Sequence, residues 1–129
     1  DKRKKIYINY RNQLDGFKNI LSFPKYYKFN RSAYHLVIIN INFKNLSSKD
    51  KFINFLLKKK IIVQFHYKPI NHFSIYKEKN RKFRSSRSYY NTSISIPIYH
   101  SISEKEVKHI IKTIKNYIIK NYNLFTNNH

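Results

Sequence analysis

The sequence lacks the residues on which several kinds of functional site depend. It contains no cysteine, which excludes disulfide bonds and thiolate metal sites. Its single glycine, Gly16, cannot supply a glycine-rich phosphate loop, and its six acidic residues are dispersed and make no carboxylate pair. His66 and His72 are the only histidines close in sequence, and their spacing is weak evidence for a zinc site. The chain alone therefore offers no self-sufficient catalytic site, and we assign it no catalytic, cofactor-binding or metal-binding residue.

The sequence also lacks a long apolar run. Nothing in it approaches the ~20 apolar residues of a membrane helix, and no signal peptide is visible. We therefore expect a soluble protein with no membrane partner, and the absence of cysteine fits a cytoplasmic location. The length of 129 residues suits one domain. Because the first residue is Asp1 and not methionine, we expect this domain to belong to a longer protein.

Negative charge is scarce, and positive charge is abundant. The chain has 27 lysine and arginine residues and a formal net charge of +21. Such a field favours a nucleic acid or an anionic membrane as a partner. A second interpretation is base-composition bias, since more than half of the chain consists of Ile, Lys, Asn, Tyr and Phe, whose codons are A/T-rich. The cations are spread along the chain, which favours the second interpretation without excluding the first.

Apolar periodicity predicts an α+β domain. A connection is expected at 21–33, and a polar loop is expected before the last strand. The elements are predicted in this order: a helix over 2–17, a strand over 34–43, a helix capped by Ser47 with Asp50, a strand over 61–66, a short helix or turn near 86–91, a strand over 93–97, and a helix capped by Ser103 with Glu106. The crossovers are too short for a doubly wound sheet, so a small sheet covered by helices is expected.

The stretch "IIVQFHYKPINHF" ends in side chains that a core seldom uses. His66 and Tyr67 are placed at the carboxyl end of the predicted strand, and Pro69 fixes the backbone beyond them. Such side chains can form hydrogen bonds and offer ring faces to a base or a sugar. They can equally be a histidine bonded to backbone and a tyrosine lying on the core. Spacing alone favours this packing interpretation.

Three longer stretches resemble a known enzyme family. They are "AYHLVIINI", "FLLKKKIIVQFHYKPINHFSIY" and "YYNTSISIPIYHSISEKEVKHIIKTI". Together they resemble the C-terminal domain of the DegT, DnrJ, EryC1 and StrS sugar aminotransferases. Within that family the likeness is greatest to enzymes that aminate a UDP-linked 4-keto-6-deoxy sugar on the way to pseudaminic acid. The most specific parts of the resemblance are residues 63–69 and residues 95–99.

The resemblance implies the small C-terminal domain of a fold type I, pyridoxal-phosphate-dependent transferase. Its sheet would be three-stranded or slightly larger and mostly antiparallel, and helices would cover it. Residues 1–20 would form an interdomain helix and residues 21–129 the small domain. The lysine that binds pyridoxal 5'-phosphate would lie in a large domain absent from this chain, so the chain alone should be inactive. The substrates would be a nucleotide sugar and glutamate, and the intact enzyme would be a homodimer.

The resemblance also implies roles for individual residues. His35 matches a strand start, and Lys60 and Ile62 stand where relatives usually carry glycine. A lysine at a left-handed helix cap costs roughly 1 kcal/mol, so a looser helix end is expected. The residues expected to contact the nucleotide sugar are His66, Tyr67, Asn71 and Tyr76, and those expected to fix turns are Pro69 and Pro97.

A basic α+β nucleic-acid-binding module is the alternative function. A sheet that binds RNA is expected to present aromatic residues at alternating strand positions. The predicted strands over 34–43 and 93–97 consist mainly of Ile, Val, Ser and Asn. This composition makes nucleic acid an unlikely partner.

Overall fold

The computed structural model describes residues 2–25, 32–76 and 83–126. Four helices and three strands form an α+β domain, which confirms the predicted fold class. In chain order the elements are α1 (Lys2–Leu14), β1 (Leu21–Ser22), β2 (Val37–Ile41), α2 (Leu46–Lys58), α3 (Arg84–Thr92), β3 (Ser93–Ile96) and α4 (Glu104–Lys120). Short 3-10 turns cover Asp15–Phe17, Ile70–His72, Ser74–Tyr76 and Tyr122–Leu124.

The sheet is antiparallel, and β2 is its central strand. β1 and β3 flank it, with Leu21 opposite Ile41 on one side and Ile39 opposite Ile94 on the other. Strand β2 is shorter than the predicted 34–43, because beyond it Phe43 forms only an isolated bridge to Phe125. The expected three-stranded antiparallel sheet is thus confirmed.

The membership of that sheet differs from the sequence prediction. The predicted strand over 61–66 is wrong, because only Gln64 pairs there, in an isolated bridge to Ser95. The third strand is instead β1, within the stretch predicted as a connection. An apolar β-branched run forms a strand only where a neighbouring backbone continues beside it. Here the chain leaves β3 after one bridge, and the ring of Phe65 packs towards Tyr90 on α3.

The core lies where the apolar face of the sheet meets α1 and α4. Alternate residues of β2 are fully buried, while those between them are half-buried. Helix α1 contributes four buried residues, and the hydroxyl of Tyr10 donates a hydrogen bond to the carbonyl oxygen of Pro97 at 3.0 Å. Helix α4 contributes seven buried residues, including Ile114 at its centre. The first helix is thus an integral part of the domain core.

The starts of α2 and α4 are capped in different ways. The predicted capping pair Ser47 and Asp50 is wrong, since α2 begins at Leu46 and the side chain of Asn45 accepts a hydrogen bond from the Ser48 amide at 2.8 Å. Asparagine is as good an N-cap as serine, and Asn45 lies two residues before Ser47. The capping box of Ser103 and Glu106 at the start of α4 is confirmed.

The end of α2 forms a complete Schellman motif on a lysine. Lys60 has a φ of 61°, and its amide donates to the carbonyl of Leu57 at 2.9 Å. The amide of Ile61 donates to the carbonyl of Leu56 at 2.9 Å, and both of these side chains are buried. The left-handed residue is thus where the resemblance implied it, and both hydrogen bonds of the motif are formed at this helix end.

Within the described ranges, no helix combines the length and apolar character needed to cross a membrane. The same residues contain no group of three or more histidine and acidic side chains that could hold a metal ion.

Candidate functional site

The two motifs of residues 63–69 and 95–99 meet at one edge of the sheet. The amide of Gln64 donates to the carbonyl of Ser95 at 3.0 Å, and the Ser95 amide returns a bond to the Gln64 carbonyl at 2.8 Å. This pair of hydrogen bonds places the start of the polar loop beside the last residues of β3. The bridge therefore turns two distant sequence motifs into one local surface.

His66 follows that bridge and presents a ring without hydrogen bonds. The residue is half-buried, and neither ring nitrogen has a partner among the residues that the structure describes. Its ring packs edge-on against Tyr67, with centroids 5.0 Å apart, across a cis peptide bond. A buried polar atom without a partner costs about 1–3 kcal/mol, so such atoms often mark a ligand site. The His66 ring is therefore not hydrogen-bonded to the described backbone, contrary to the packing interpretation.

Tyr67 is on the surface and not on the core. Its side chain is 77 % exposed, and it belongs to a run of exposed apolar residues that continues through Ile70, Phe73 and Ile75. Exposed apolar side chains grouped in this way are typical of a surface that contacts another molecule or domain. The packing interpretation of the loop therefore fails for Tyr67.

The other predicted site residues lie on the turns beyond Tyr67. Pro69 is buried and precedes the 3-10 turn Ile70–His72, which includes the backbone of Asn71. The backbone of Tyr76 ends the turn Ser74–Tyr76. The side chains of Asn71 and Tyr76 lie outside the described part of the structure. Pro97 follows β3 directly, where its carbonyl accepts the Tyr10 hydrogen bond. Pro69 thus precedes a turn, whereas residues 97–99 have no assigned turn, and the turn-fixing role of both prolines stays a prediction.

A cavity of about 360 Å³ opens beside the bridge, and we call it the junction cavity. Its apolar wall comes from Ile61 and Ile62 just before the first motif, from isoleucines of the second motif and from α4, and Pro97 lines it. The polar residues on its wall include His35, Lys60, Gln64, Tyr99, Glu106 and His109. His66 and Tyr67 do not line it. Sequence reasoning missed Tyr99, Glu106 and His109 as wall residues, because the α4 periodicity indicated only which of its residues face the core.

Glu106 is the acidic group of the junction cavity, and it is committed to structure. Its carboxylate accepts bonds from the Ser103 hydroxyl at 2.6 Å, from the Ser103 amide at 2.8 Å and from the Tyr99 hydroxyl at 2.9 Å. The bonds from Ser103 hold the pKa of Glu106 below its usual value, and the bond to Glu106 raises the pKa of Tyr99. This carboxylate is therefore ionised near neutral pH and fixed as a helix cap.

The architecture of this domain occurs in solved aminotransferases, and the family assignment follows from the sequence. Residues 1–115 match the model of the DegT/DnrJ/EryC1/StrS aminotransferase family. The chain belongs to that family. Its members use pyridoxal phosphate, and solved relatives include a PLP-form.

Individual relatives agree with this assignment. A Helicobacter pylori UDP-4-amino-4,6-dideoxy-N-acetyl-beta-L-altrosamine transaminase is 27% identical over 86 residues, which cover 65% of this chain and 23% of that protein. The structure of Helicobacter pylori PseC, an aminotransferase involved in the biosynthesis of pseudoaminic acid, matches with a TM-score of 0.81 at 21% identity, covering 92% of this chain and 31% of that one.

A Streptococcus pneumoniae structure gives the same result. The putative sugar aminotransferase Spr1654 in its PMP-form matches with a TM-score of 0.79 at 26% identity, covering 92% of this chain and 30% of that one. The chain thus spans about a third or less of the length of these relatives. It has the fold of one part of each of them.

The described residues do not form a pyridoxal-phosphate site. Lys49 is the one buried lysine among them, and its ammonium donates to the carbonyl of Tyr90 between two aromatic rings. The carboxylate whose charge acts on Lys49 is that of its chain neighbour Asp50, and the chain has no glycine-rich loop for a phosphate. None of the lysines that the structure describes is therefore assigned a bond to the cofactor.

Proposed function

We propose that the chain is the C-terminal small domain of a pyridoxal-phosphate-dependent aminotransferase acting on a nucleotide-linked 4-keto-6-deoxy sugar. In this proposal, glutamate supplies the amino group, and a large domain outside this chain holds most of the cofactor contacts. The intact enzyme is a cytoplasmic homodimer. The present domain contacts the sugar nucleotide and forms one side of the cleft.

The hydrogen-bonded bridge between Gln64 and Ser95 is the observation that carries the proposal. It joins the two motifs that resemble the family and leaves His66 and Tyr67 at the edge of the sheet. The family match extends from residue 1 to residue 115 and so includes both motifs. A shared fold does not define a substrate, so the argument depends on these side chains.

His66 and Tyr67 would hold the substrate by complementary means. Both ring nitrogens of His66 are buried and lack internal partners, so this contact requires the ring to turn towards the surface, where it can donate one hydrogen bond to a sugar or phosphate oxygen and accept another. The exposed ring of Tyr67 offers an apolar face to a sugar or a base, with its hydroxyl towards water. Pro69 and Pro97 would keep the two turns in place. We include Asn71 and Tyr76 among the contacts because they match family positions on the same loop.

The histidine is tested in the full-length enzyme with a matched histidine control. His66→Ala should raise the KM for the nucleotide sugar about tenfold, because a lost hydrogen bond to a substrate costs about 1–1.5 kcal/mol. The absorbance spectrum of the bound cofactor and the KM for glutamate should stay close to those of the parent. His100→Ala is the control, since His100 is an exposed turn residue that neither forms the bridge nor lines the junction cavity.

These measurements distinguish a substrate contact by His66 from a purely structural role in packing. Equal effects of His66→Ala and His100→Ala on the nucleotide-sugar KM would contradict the proposed substrate contact. An equal loss of cofactor absorbance and of substrate affinity would also contradict it, since that result would place His66 at the cofactor.

A further inference from the structure

Lys49 is a lysine in an unusual environment for its charge. It lies in the first turn of α2 and is only 4 % exposed, whereas every other lysine that the structure describes is exposed or half-buried. No carboxylate among the described residues forms an ion pair with it, although Asp50 is its neighbour in the chain. Removing an ammonium group from water is costly, so its partners must compensate.

One partner is the end of α3. The Lys49 ammonium donates to the carbonyl oxygen of Tyr90, in the last turn of that helix. This carbonyl has no partner within the helix, because α3 ends at Thr92 and the chain continues as β3. A cation at a helix C-terminus is also favoured by the helix dipole. The ammonium therefore acts as a C-terminal cap supplied by a different helix.

The remaining partners are two aromatic rings. The Lys49 ammonium is 4.9 Å from the ring centroid of Phe65 and 5.0 Å from that of Tyr90. The two rings are themselves 6.3 Å apart, so the cation lies near both faces of one cluster. Such distances are within the range in which a cation is attracted to an aromatic ring, and partial desolvation strengthens the attraction.

These contacts act on both ends of the loop that carries the candidate site. Phe65 immediately precedes His66. At the other end, His72 packs edge-on against Tyr90, with centroids 6.0 Å apart. The Lys49 ammonium on α2 thus contacts the end of α3 and Phe65 directly, and it reaches His72 through the ring of Tyr90. Regular sheet pairing ends at Gln64, so the sheet does not hold this loop.

We propose that Lys49 is a positioning residue that fixes the loop of residues 65–72, and with it His66, through Phe65 and Tyr90. The effect on substrate binding rests on the proposed function. The effect on the loop does not, and the two can be measured separately.

The loop is tested by amide hydrogen exchange on the 129-residue chain. Lys49→Met keeps the length of the side chain and removes its charge, and we expect exchange within residues 65–72 to become at least tenfold faster. Lys49→Arg keeps a cation and donors, and it should restore most of the protection. Lys51→Met is the control, because Lys51 is an exposed lysine on the same helix. Exchange within α4 should be the same in all four proteins.

A titration of the unmodified protein gives a second test that needs no variant. Burial lowers the pKa of Lys49 to about 8. Phe65 cannot titrate, so its ring signals in NMR should move with a midpoint near pH 8 as the ammonium is lost. The other titratable groups around the cluster are Asp50, Tyr90, His66 and His72. In Lys49→Arg this transition should disappear.

Each result supports or overturns the proposal. Unchanged exchange of residues 65–72 in Lys49→Met, or the same change in Lys51→Met, would overturn it. If Lys49→Met does not fold, the titration of the unmodified protein is the deciding test. Phe65 signals that do not move between pH 7 and 9 would then overturn the proposal. In the full-length enzyme, Lys49→Met should raise the KM for the nucleotide sugar several-fold, with recovery in Lys49→Arg. A mobile loop with an unchanged KM would refute the proposed role of His66 and leave the positioning role intact.

Discussion

The hydrophobic core of α1, the sheet and α4 differs in side-chain burial from residues 65–76, which comprise the loop of residues 65–72 and the turn after it. In the core, side chains such as Ile39 and Ile114 are fully buried, and the buried hydroxyl of Tyr10 has its acceptor. In the loop, Ile70 and Ile75 are 67 % and 85 % exposed, and His66 has buried nitrogens without a partner among the described residues. Isoleucine side chains are thus buried in the core and exposed to solvent in the loop.

This difference in burial and pairing is why we propose the loop, and not the core, as the binding surface of this domain. A region whose apolar side chains are buried and whose polar groups mostly have partners contributes stability and has little left to offer a ligand. The Ser95 hydroxyl on β3 is an exception in the core, since it is buried without a partner among the described residues. The loop leaves its matching incomplete, so another molecule or domain can complete it. Binding residues on a loop that a rigid scaffold supports are a common arrangement.

The largest effect expected from this comparison is on stability, and a pair of isoleucines measures it. Ile114→Ala should lower the free energy of unfolding by about 2–5 kcal/mol, because it opens a cavity in the centre of α4. Ile75→Ala removes the same atoms from an exposed turn and should change the free energy of unfolding by less than about 0.5 kcal/mol. Urea unfolding of both variants gives the values. Similar losses would mean that the loop is packed as the core is.

A smaller effect is expected at the contact between α1 and the end of β3. Tyr10→Phe removes the hydroxyl that donates to the Pro97 carbonyl, and it should cost about 1 kcal/mol of unfolding free energy at pH 7.

The same variant has a predicted signature in alkaline solution. Burial raises the pKa of Tyr10 above the ordinary value of about 10. The folded state therefore keeps the proton that the unfolded state releases, and the contribution of Tyr10 to stability is complete below pH 10 and lost as the pH rises above it. Unfolding measured between pH 8 and 11 should show a steeper loss in the parent than in Tyr10→Phe. Parallel curves would contradict the assigned cause.

The smallest effect is expected at the left-handed end of α2. Lys60→Gly removes the strain of a φ of 61° and should raise the free energy of unfolding by about 1 kcal/mol or less, since glycine also increases the entropy of the unfolded chain. Lys59→Gly is the matched control and should destabilise, because Lys59 has a φ of −90°. Thermal unfolding of both proteins checks the sign. A loss of stability in Lys60→Gly would show that the lysine side chain compensates for its strain.

Local patterns predicted the elements whose causes are themselves local. Helix α4 was correctly indicated by its apolar spacing and its capping pair, because both operate within a few residues. The start of α2 was misjudged because Asn45, Ser47 and Ser48 are all competent caps, and only the observed hydrogen bonds distinguish them. The strand over 61–66 was misjudged because strand formation depends on a partner that no local pattern specifies.

The sequence motifs proposed residues for the candidate site, whose role stays a prediction, and did not indicate how those residues are arranged. The sequence indicated His66, Tyr67, Pro69 and Pro97 through their motifs. Nothing in the sequence distinguished Lys49 from the other lysines. Its burial depends on rings from two later segments of the chain, Phe65 and Tyr90.

The sequence by itself determined the excluded chemistries, the α+β class, the periodic faces of the helices and the family motifs, because each depends on composition or on short-range spacing. The tertiary structure decided that β1 and not residues 61–66 completes the sheet, that Gln64 meets Ser95, and that one lysine of many is enclosed. These outcomes are contacts between distant segments. Their energies depend on how the whole chain packs, and so they become visible only when the fold is assembled.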